Sequence, residues 1–161
     1  HAVTEFFTVP TANVDAAGRL AAPLLENLEA PIFLAPDEGA LTLAESVRDA
    51  YGTGRTDFFV KHRDVDTGDI EMRPNEVEVG DRDVVIVDDI IATGSTMSEA
   101  IGILQKRGPS RVFVTTVHPL LVGNARTKLA NAGVEAIYGT DTIERAVSTV
   151  TVAPAVADAL D

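Results

Sequence analysis

The chain has 161 residues, 45% of them hydrophobic, which is enough for one domain with a sizeable core. It has no cysteine, so disulfides, thiolate metal sites and cysteine nucleophiles are excluded. A net charge of -12 argues against binding to nucleic acid, and no apolar run is long enough to cross a membrane, so we expect a cytoplasmic protein without either partner.

Positive charge is sparse in this chain, whose lysines are Lys61, Lys106 and Lys128. Such a composition is typical of halophilic proteins, which work in high salt, although a mildly acidic protein from an ordinary environment also fits. A positive side chain close to a functional site therefore stands out.

Apolar runs and helical patterns alternate along the chain, which predicts strands alternating with helices. Asn13 or Asp15 can cap the first helix, and Pro23 should kink or divide it. This alternation predicts an α/β fold, a doubly wound and mostly parallel sheet with helices on both faces and the ligand at the carboxyl ends of the strands. In chain order we predict an extended start through Phe6, Phe7 and Val9 to Pro10, a helix through Leu20, Leu24, Leu25 and Leu28, strand 31–35, a helix through Leu43, Val47 and Tyr51, strand 56–63, a turn at 66–69, extended segments through Ile70, Met72, Val77 and Val79, strand 84–87, helix 97–107, strand 111–117, helix 124–132, strands 136–138 and 148–152, and a helix from Pro154.

The stretch 84–96 carries the main functional signal. Its uninterrupted β-branched run predicts a central strand buried on both faces, and Asp88 and Asp89 follow at the carboxyl end. Gly94 allows close backbone approach, and the amides of a loop that opens a helix favour an anion. The loop has no lysine, so it is not the phosphate loop of nucleoside triphosphatases. We expect one phosphate to bind at Ala92, Thr93, Gly94, Ser95 and Thr96.

The two carboxylates ahead of this loop predict a second half of the ligand. Carboxylate oxygens accept hydrogen bonds from a vicinal diol and serve as ligands for Mg²⁺. A phosphorylated sugar satisfies both halves. The competing interpretation is an acidic strand end that runs into an ordinary helix cap.

The run 85–96, Val-Ile-Val-Asp-Asp-Ile-Ile-Ala-Thr-Gly-Ser-Thr, resembles the phosphoribosyl pyrophosphate signature. This signature is shared by type I phosphoribosyltransferases and ribose-phosphate pyrophosphokinases. The turn 35–41 is similar to the Pro-Asp-x-Gly turn of the pyrophosphokinases, especially archaeal forms with alanine in place of the second glycine. That resemblance implies Mg²⁺ at Asp37 and pyrophosphate beside the amides of Glu38, Gly39 and Ala40, although a plain β-turn fits the sequence as well.

A third signal is Lys61-His62-Arg63 at a predicted strand end. It resembles the Lys-x-Arg of the flexible catalytic loop in the pyrophosphokinases, although a solvated strand end also fits. The resemblance implies that Lys61 stabilises charge on the transferring pyrophosphoryl group and that Arg63 contacts ribose 5-phosphate. His62 is interpreted as a solvated loop residue rather than a base. Weaker matches at 6–10, 116–118 and 140–143 extend the likeness, and His118 either faces the ligand or packs.

The resemblance implies transfer of pyrophosphate from ATP to ribose 5-phosphate with Mg²⁺ as cofactor, in a homo-oligomer. It also implies that residues 1–161 form one phosphoribosyltransferase-like domain, the carboxyl-terminal half of a longer chain, inactive alone. A stand-alone phosphoribosyltransferase is the first competitor, but it predicts a base-recognising segment, and we find none. A non-catalytic regulatory relative and a structural domain without ligand also compete with this interpretation.

Overall fold

The computed structural model describes residues 8–24, 28–63 and 70–160, with the side chains of 61–63 and 70–72 outside the description. Apolar, β-branched runs form the strands, and amphipathic segments form the helices between them. The strands are β1 Ile32–Ala35, β2 Arg55–Arg63, β3 Ile70–Pro74, β4 Asp83–Ile90, β5 Arg111–His118, β6 Ala136–Thr140 and β7 Ser148–Val150. The helices are α1 Leu41–Tyr51, α2 Ser95–Gln105, α3 Ala125–Asn131 and α4 Ala153–Asp158, with 3₁₀ segments at Ala17–Leu24 and Glu38–Ala40.

The described strands form one sheet in the order β3-β2-β1-β4-β5-β6-β7. All neighbours are parallel except β2 and β3, which form an antiparallel hairpin. β4 is the central strand, and its residues from Asp83 to Val87 are buried. This confirms the predicted sheet and the central place of the 84–87 run.

Helices cover both faces of the sheet, as predicted. On one face, α2 and α3 bury Ile101, Leu104 and Leu129 against Ile86 and Val114. On the other face, the 3₁₀ segment Ala17–Leu24 and α1 enclose a second cluster. Its largest buried members include Phe33, Leu20, Val47 and Val85. These two cores hold the strand ends rigidly beneath the loops.

The first predicted helix is instead a 3₁₀ segment, Ala17–Leu24, with Pro23 inside it. Asp15, rather than Asn13, caps its start, since the Asp15 carboxylate accepts from the amide of Ala17 at 2.8 Å. Proline removes a backbone donor, which accounts for the short, tight geometry. Other predicted boundaries agree within two or three residues. The segment 1–7, Leu25 and the turn 66–69 lie outside the described residues.

Candidate functional site

The carboxyl ends of β1 and β4 lie at the point where the order of the sheet reverses. β1 sits between β2 and β4 and is parallel to both, and ligands of open α/β sheets bind in the crevice at such a point. Two adjoining clefts of about 260 and 360 Å³ open there. Pro36, Asp37 and Asp88 line both clefts. The structure therefore brings the turn after β1 and the loop after β4 together.

The loop after β4 ends at Gly94, the N-cap of α2. Gly94 has a φ of +69°, in the left-handed region, and a β-carbon there would lie 3.3 Å from the carbonyl oxygen of Ala125. Glycine brings no capping side chain, so no side-chain cap hydrogen bond is made to the first turn of α2. The amides of Ser95, Thr96 and Met97 begin this helix, whose dipole favours an anion beside them.

The hydroxyl group of Ser95 is arranged to donate to a ligand. Thr93 Oγ1 donates to Ser95 Oγ over 3.3 Å, and Lys128 Nζ of α3 donates to the same oxygen over 3.1 Å. A hydroxyl has two acceptor positions and one hydrogen, so Ser95 has only its hydrogen left to offer. Its matching ligand atom is an acceptor such as a phosphate oxygen. Ala92 and Thr96 are both exposed, and both line the same cleft as Ser95.

Lys128 lies beside the loop, and the sequence pattern did not place it there. The loop has no lysine of its own, but the structure delivers one from α3, whose first residue packs on Gly94. Its signal in the sequence was only the scarcity of lysine in an acidic chain. Which residue of α3 faces the loop depends on tertiary packing, which a single sequence does not reveal.

Asp88 and Asp89 lie near the carboxyl end of β4; Asp88 lines both clefts and Asp89 lines one of them. Burial raises the pKa of Asp88 to about 7, and repulsion from Asp89 and, more weakly, from Asp37 adds to the shift. Asp88 Oδ1 accepts a hydrogen bond from the backbone amide of Asp89 at 2.9 Å, which partly offsets the rise. Asp89 is exposed, and its carbonyl accepts from the hydroxyl of Thr116 at 3.2 Å. The carboxylates are positioned to accept from hydroxyl groups or to bind a cation.

The turn after β1 is held by its own aspartate. Asp37 Oδ1 accepts from the amide of Ala40 over 3.2 Å and caps the 3₁₀ segment Glu38–Ala40. A β-carbon on Gly39 would come within 3.2 Å of that same carboxylate oxygen, so glycine keeps the turn compact. The methyl group of Ala40 is half-buried and packs against the core. Alanine at position 40, in place of the second glycine of the motif, therefore fills space beneath the turn with its methyl group.

Backbone hydrogen bonds fix the loop after β4 to the segment after β5. The amide of Ile91 donates to His118, the amide of Leu121 donates back to Ile91, and the amide of Val122 donates to Ala92, over 3.2, 2.9 and 3.0 Å. Ile91 is buried in the core below. The backbone of the loop after β4 is thus held in place, and the start of α3 is fixed relative to it.

Lys61 and Arg63 lie on the far part of β2. β1 ends at Ala35, which pairs with Phe58, and β2 continues beyond that point to Arg63 while paired with β3. At about 3.3 Å per residue the hairpin projects roughly 16 Å past the end of β1. Its backbone therefore stands at the site edge of the sheet. The side chains of Lys61, His62 and Arg63 lie outside the described residues.

His118 ends β5 on the same edge of the sheet but lines neither cleft. Its Nδ1 lies 2.9 Å from Thr142 Oγ1, whose hydroxyl donates to the carbonyl of Val117 at 2.7 Å. Thr142 then accepts from Nδ1, which leaves Nε2 as the acceptor of the neutral ring. Half-buried His118 thus joins the end of β5 to the loop after β6 through this hydrogen bond.

Across residues 8–24, 28–63 and 70–160, no group of three or more His, Cys, Asp or Glu side chains is arranged to hold a metal ion by itself. Mg²⁺ often takes only one or two carboxylates, with substrate phosphates and water completing its shell. In the same part of the chain, no helix is long and apolar enough to span a membrane.

The fold and the helix-opening loop behind an acidic pair define the class of protein. Residues 10–153 match the family model of the phosphoribosyl transferase domain, and the chain belongs to this family. The chain is 63% identical over 98% of its length to the ribose-phosphate pyrophosphokinase of Halobacterium salinarum. It is 41% identical to the enzyme of the same name from Methanothermobacter thermautotrophicus. The chain spans only about half the length of these relatives, 55% and 54%.

Solved structures with the same fold include both kinds of relative that the sequence motif resembles. Phosphoribosylpyrophosphate synthetase from Mycobacterium smegmatis superposes with a TM-score of 0.79 over 98% of this chain and 53% of its own, at 24% identity. APRTase from Giardia lamblia, complexed with 9-deazaadenine, gives 0.61 over 76% of this chain and 75% of its own, at 14% identity. At these identities the likeness concerns the fold alone, which confirms the predicted type I phosphoribosyltransferase-like architecture.

Proposed function

We propose that this chain binds ribose 5-phosphate and supplies its site to a ribose-phosphate diphosphokinase. The observation that carries the proposal is the cleft that is lined both by Asp88 and by the first turn of α2, which has no side-chain cap. One side accepts hydrogen bonds from hydroxyl groups, and the other donates hydrogen bonds to an anion. A pentose 5-phosphate presents a diol and a phosphate at the two ends of one small molecule.

In this proposal the loop from Ala92 to Thr96 holds the 5-phosphate through amides and hydroxyls. Asp88, with Asp89, engages the 2- and 3-hydroxyls of the ribose. The anomeric hydroxyl oxygen attacks the β-phosphorus of ATP and gives up its proton to solvent. The bond from that phosphorus to the oxygen bridging it to the α-phosphate breaks, and AMP leaves with that oxygen. The backbone hydrogen bonds that fix the loop after β4 to the segment after β5 support such catalysis, because phosphoryl transfer depends mainly on positioning and charge neutralisation.

The acidic side chains around the cleft fit Mg²⁺. Asp37, Asp88 and Asp89 line one of the two clefts, and carboxylate oxygen is the ligand type that Mg²⁺ prefers. Asp37 is the protein ligand proposed near the pyrophosphate, and Asp88 with Asp89 can share a second ion with the diol. Bound Mg²⁺ would neutralise charge on the phosphate oxygens.

The remaining parts of the machinery stay proposals as well. Lys61 would stabilise the transferring charge, Arg63 would contact ribose 5-phosphate, and the turn from Glu38 to Ala40 would approach the pyrophosphate. The hairpin that projects at this edge of the sheet supports these roles. ATP recognition would draw on the part of the relatives' length that this chain does not match. Oligomerisation and a cytoplasmic location stay predictions.

Calorimetric titrations of the 161-residue chain with ribose 5-phosphate, ATP and a nucleobase, each in Mg²⁺ and high salt, test the proposal. We expect binding of ribose 5-phosphate. Saturable binding of a nucleobase in the presence of phosphoribosyl pyrophosphate would favour a phosphoribosyltransferase instead. A chain that binds no sugar phosphate at all would contradict both functions.

A further inference from the structure

We propose that Lys128 is a phosphate-binding residue whose ammonium group contacts the 5-phosphate beside the loop 92–96. The inference rests on the proposed function, because it assigns a further ligand to the same sugar-phosphate site. Lys128 lies in α3, outside the motif 85–96 that defines the loop. Its Nζ is 3.1 Å from the hydroxyl oxygen of Ser95, the first residue of α2.

The ammonium group of Lys128 lies next to the first turn of α2. Ser95 opens α2, so a phosphate that accepts from its amide and hydroxyl lies within a few ångströms of anything bonded to Ser95 Oγ. Lys128 Nζ is such a group. An ammonium has three hydrogens, and one bond to Ser95 leaves others for a phosphate oxygen. Lys128 can therefore bind the ligand without giving up Ser95.

The site needs positive charge to bind a phosphate, because its surroundings are acidic. A phosphate monoester carries about -1.5 to -2 near pH 7, whereas a helix N-terminus offers only about +0.5. Asp37, Asp88 and Asp89 crowd the same clefts, and the whole chain carries -12. Loop amides and hydroxyls leave much of that repulsion in place. An ammonium at Lys128 supplies a full positive charge at the loop.

Lys128 forms its hydrogen bond with a hydroxyl group rather than with a carboxylate. Within residues 8–24, 28–63 and 70–160, the ion pairs join Arg48 to Asp49 and Arg111 to Asp83. Lys128 belongs to neither pair and donates to a hydroxyl instead, although the chain has 25 acidic residues. Its charge is directed at the loop rather than used to close a surface ion pair.

The packing of α3 against the loop holds Lys128 beside Ser95. Gly94 packs against the first residue of α3, with Ala125 backbone and side chain within 3.5 Å of where its β-carbon would be. Ala125 and Leu129 are fully buried, one on each side of Lys128 in sequence. A side chain that starts between two buried anchors is fixed at its base, so the ammonium keeps its place over the loop.

The test compares Lys128→Met with Lys106→Met by titration calorimetry of the 161-residue chain with ribose 5-phosphate. Lys106 is the exposed C-cap of α2 and provides the same substitution at the far end of the helix. A hydrogen bond to a charged group is worth enough to weaken binding about 10- to 150-fold when it is lost. We expect that loss for Lys128→Met, none for Lys106→Met, and recovery of much of the affinity in Lys128→Arg.

Affinity within about twofold of wild type in Lys128→Met would overturn the inference while leaving the proposed function intact. Failure of the wild-type chain to bind ribose 5-phosphate would overturn both. Recovery absent in Lys128→Arg would show a steric role and overturn the inference as well.

A second measurement keeps the inference testable if the Met variant does not fold. Lysines of the wild-type chain are acetylated with acetic anhydride and quantified by peptide mass spectrometry. Ribose 5-phosphate should slow modification of Lys128 but not of Lys106, and ribose without the phosphate should protect neither. Equal labelling of Lys128 with and without ribose 5-phosphate, at concentrations that calorimetry shows to be saturating, would overturn the assignment.

Discussion

Replacing Asp88 by asparagine should stabilise the protein at alkaline pH while weakening its ligand site. The Asp88 carboxyl has a pKa of about 7 because it is buried near Asp89 and Asp37, against 3.8 for an ordinary aspartate. Between these two values the folded state holds a proton that the unfolded state has already lost. The free energy of unfolding therefore falls as the pH rises from about 4 to 7. Asparagine removes this cost because it does not ionise, and its Oδ1 can still accept from the amide of Asp89.

The size of the effect follows from the shift in pKa. Three pH units at about 1.36 kcal/mol each give a ceiling of about 4 kcal/mol above pH 7. Asp88 is only half-buried, so solvent screens the interaction, and we expect about 1 to 2 kcal/mol of stabilisation at pH 8. For a chain of this length that is a rise of about 2 to 8 °C in Tm. Below pH 4 the variant and the wild type should be alike.

The assay is thermal unfolding followed by circular dichroism from pH 4 to 8, at low ionic strength and without Mg²⁺. Asp158→Asn makes the same charge change on exposed α4 and serves as the control. A difference between Asp88→Asn and wild type that stays constant with pH would refute the reasoning. A variant less stable than wild type at pH 8 would refute it too. Calorimetry of the same variant should show weaker binding of ribose 5-phosphate, as expected for a functional residue kept at a cost in stability.

Three further substitutions probe other parts of the molecule. Gly94→Ala should destabilise the fold by about 1 to 2 kcal/mol and weaken ribose 5-phosphate binding, because Gly94 has a left-handed φ and contacts α3. As the control, Gly102→Ala, which lies in open space on α2, should be neutral or stabilising in thermal unfolding. Arg111→Met should cost about 2 to 4 kcal/mol in urea unfolding at pH 7, because it strands buried Asp83. Burial alone would raise the pKa of Asp83, but the hydrogen bonds from Arg111 and from a backbone amide lower it overall, so this loss should fade as the pH drops below 3.8. In a longer chain that also contains the part of the relatives' length that this chain does not match, Lys61→Ala should slow pyrophosphate transfer about 10²- to 10³-fold in single turnovers. The calorimetric affinity of the 161-residue variant for ribose 5-phosphate should stay unchanged, and equal losses in both would remove Lys61 from catalysis.

Local patterns explain why so much of the fold could be predicted. A continuous β-branched run followed by two aspartates and a Gly-Ser-Thr loop admits few structures, and β4, Gly94 and α2 are found where the pattern predicts them. The turn at Asp37 follows a strand and precedes a helix, as the loop after Asp88 does, and the parallel pairing of β1 with β4 places both at the same edge of the sheet. The position of such loops at the carboxyl ends of parallel strands follows from these short-range rules.

Properties that depend on distant packing were beyond the sequence. The contact of Lys128 with Ser95 depends on how α3 docks against the loop. The raised pKa of Asp88 depends first on burial, then on repulsion from Asp89 and, more weakly, from Asp37 in the turn after β1. The 3₁₀ geometry of Ala17–Leu24 also escaped, because Leu spacing suits an α-helix while Pro23 and tertiary contacts favour the tighter turn.

The balance of charge in the cleft leads to a last prediction, on protons. With a pKa of about 7, Asp88 is about half protonated at pH 7, which relieves repulsion among the carboxylates of the cleft. Engaging a diol or Mg²⁺ requires the ionised form as an acceptor, so ligand binding should expel that proton. Titrating ribose 5-phosphate with Mg²⁺ at pH 7 in two buffers of different ionisation enthalpy should therefore reveal release of up to about half a proton. The release should vanish in Asp88→Asn and persist in Asp158→Asn. Identical enthalpies in both buffers would mean that Asp88 does not meet the ligand as a carboxylate.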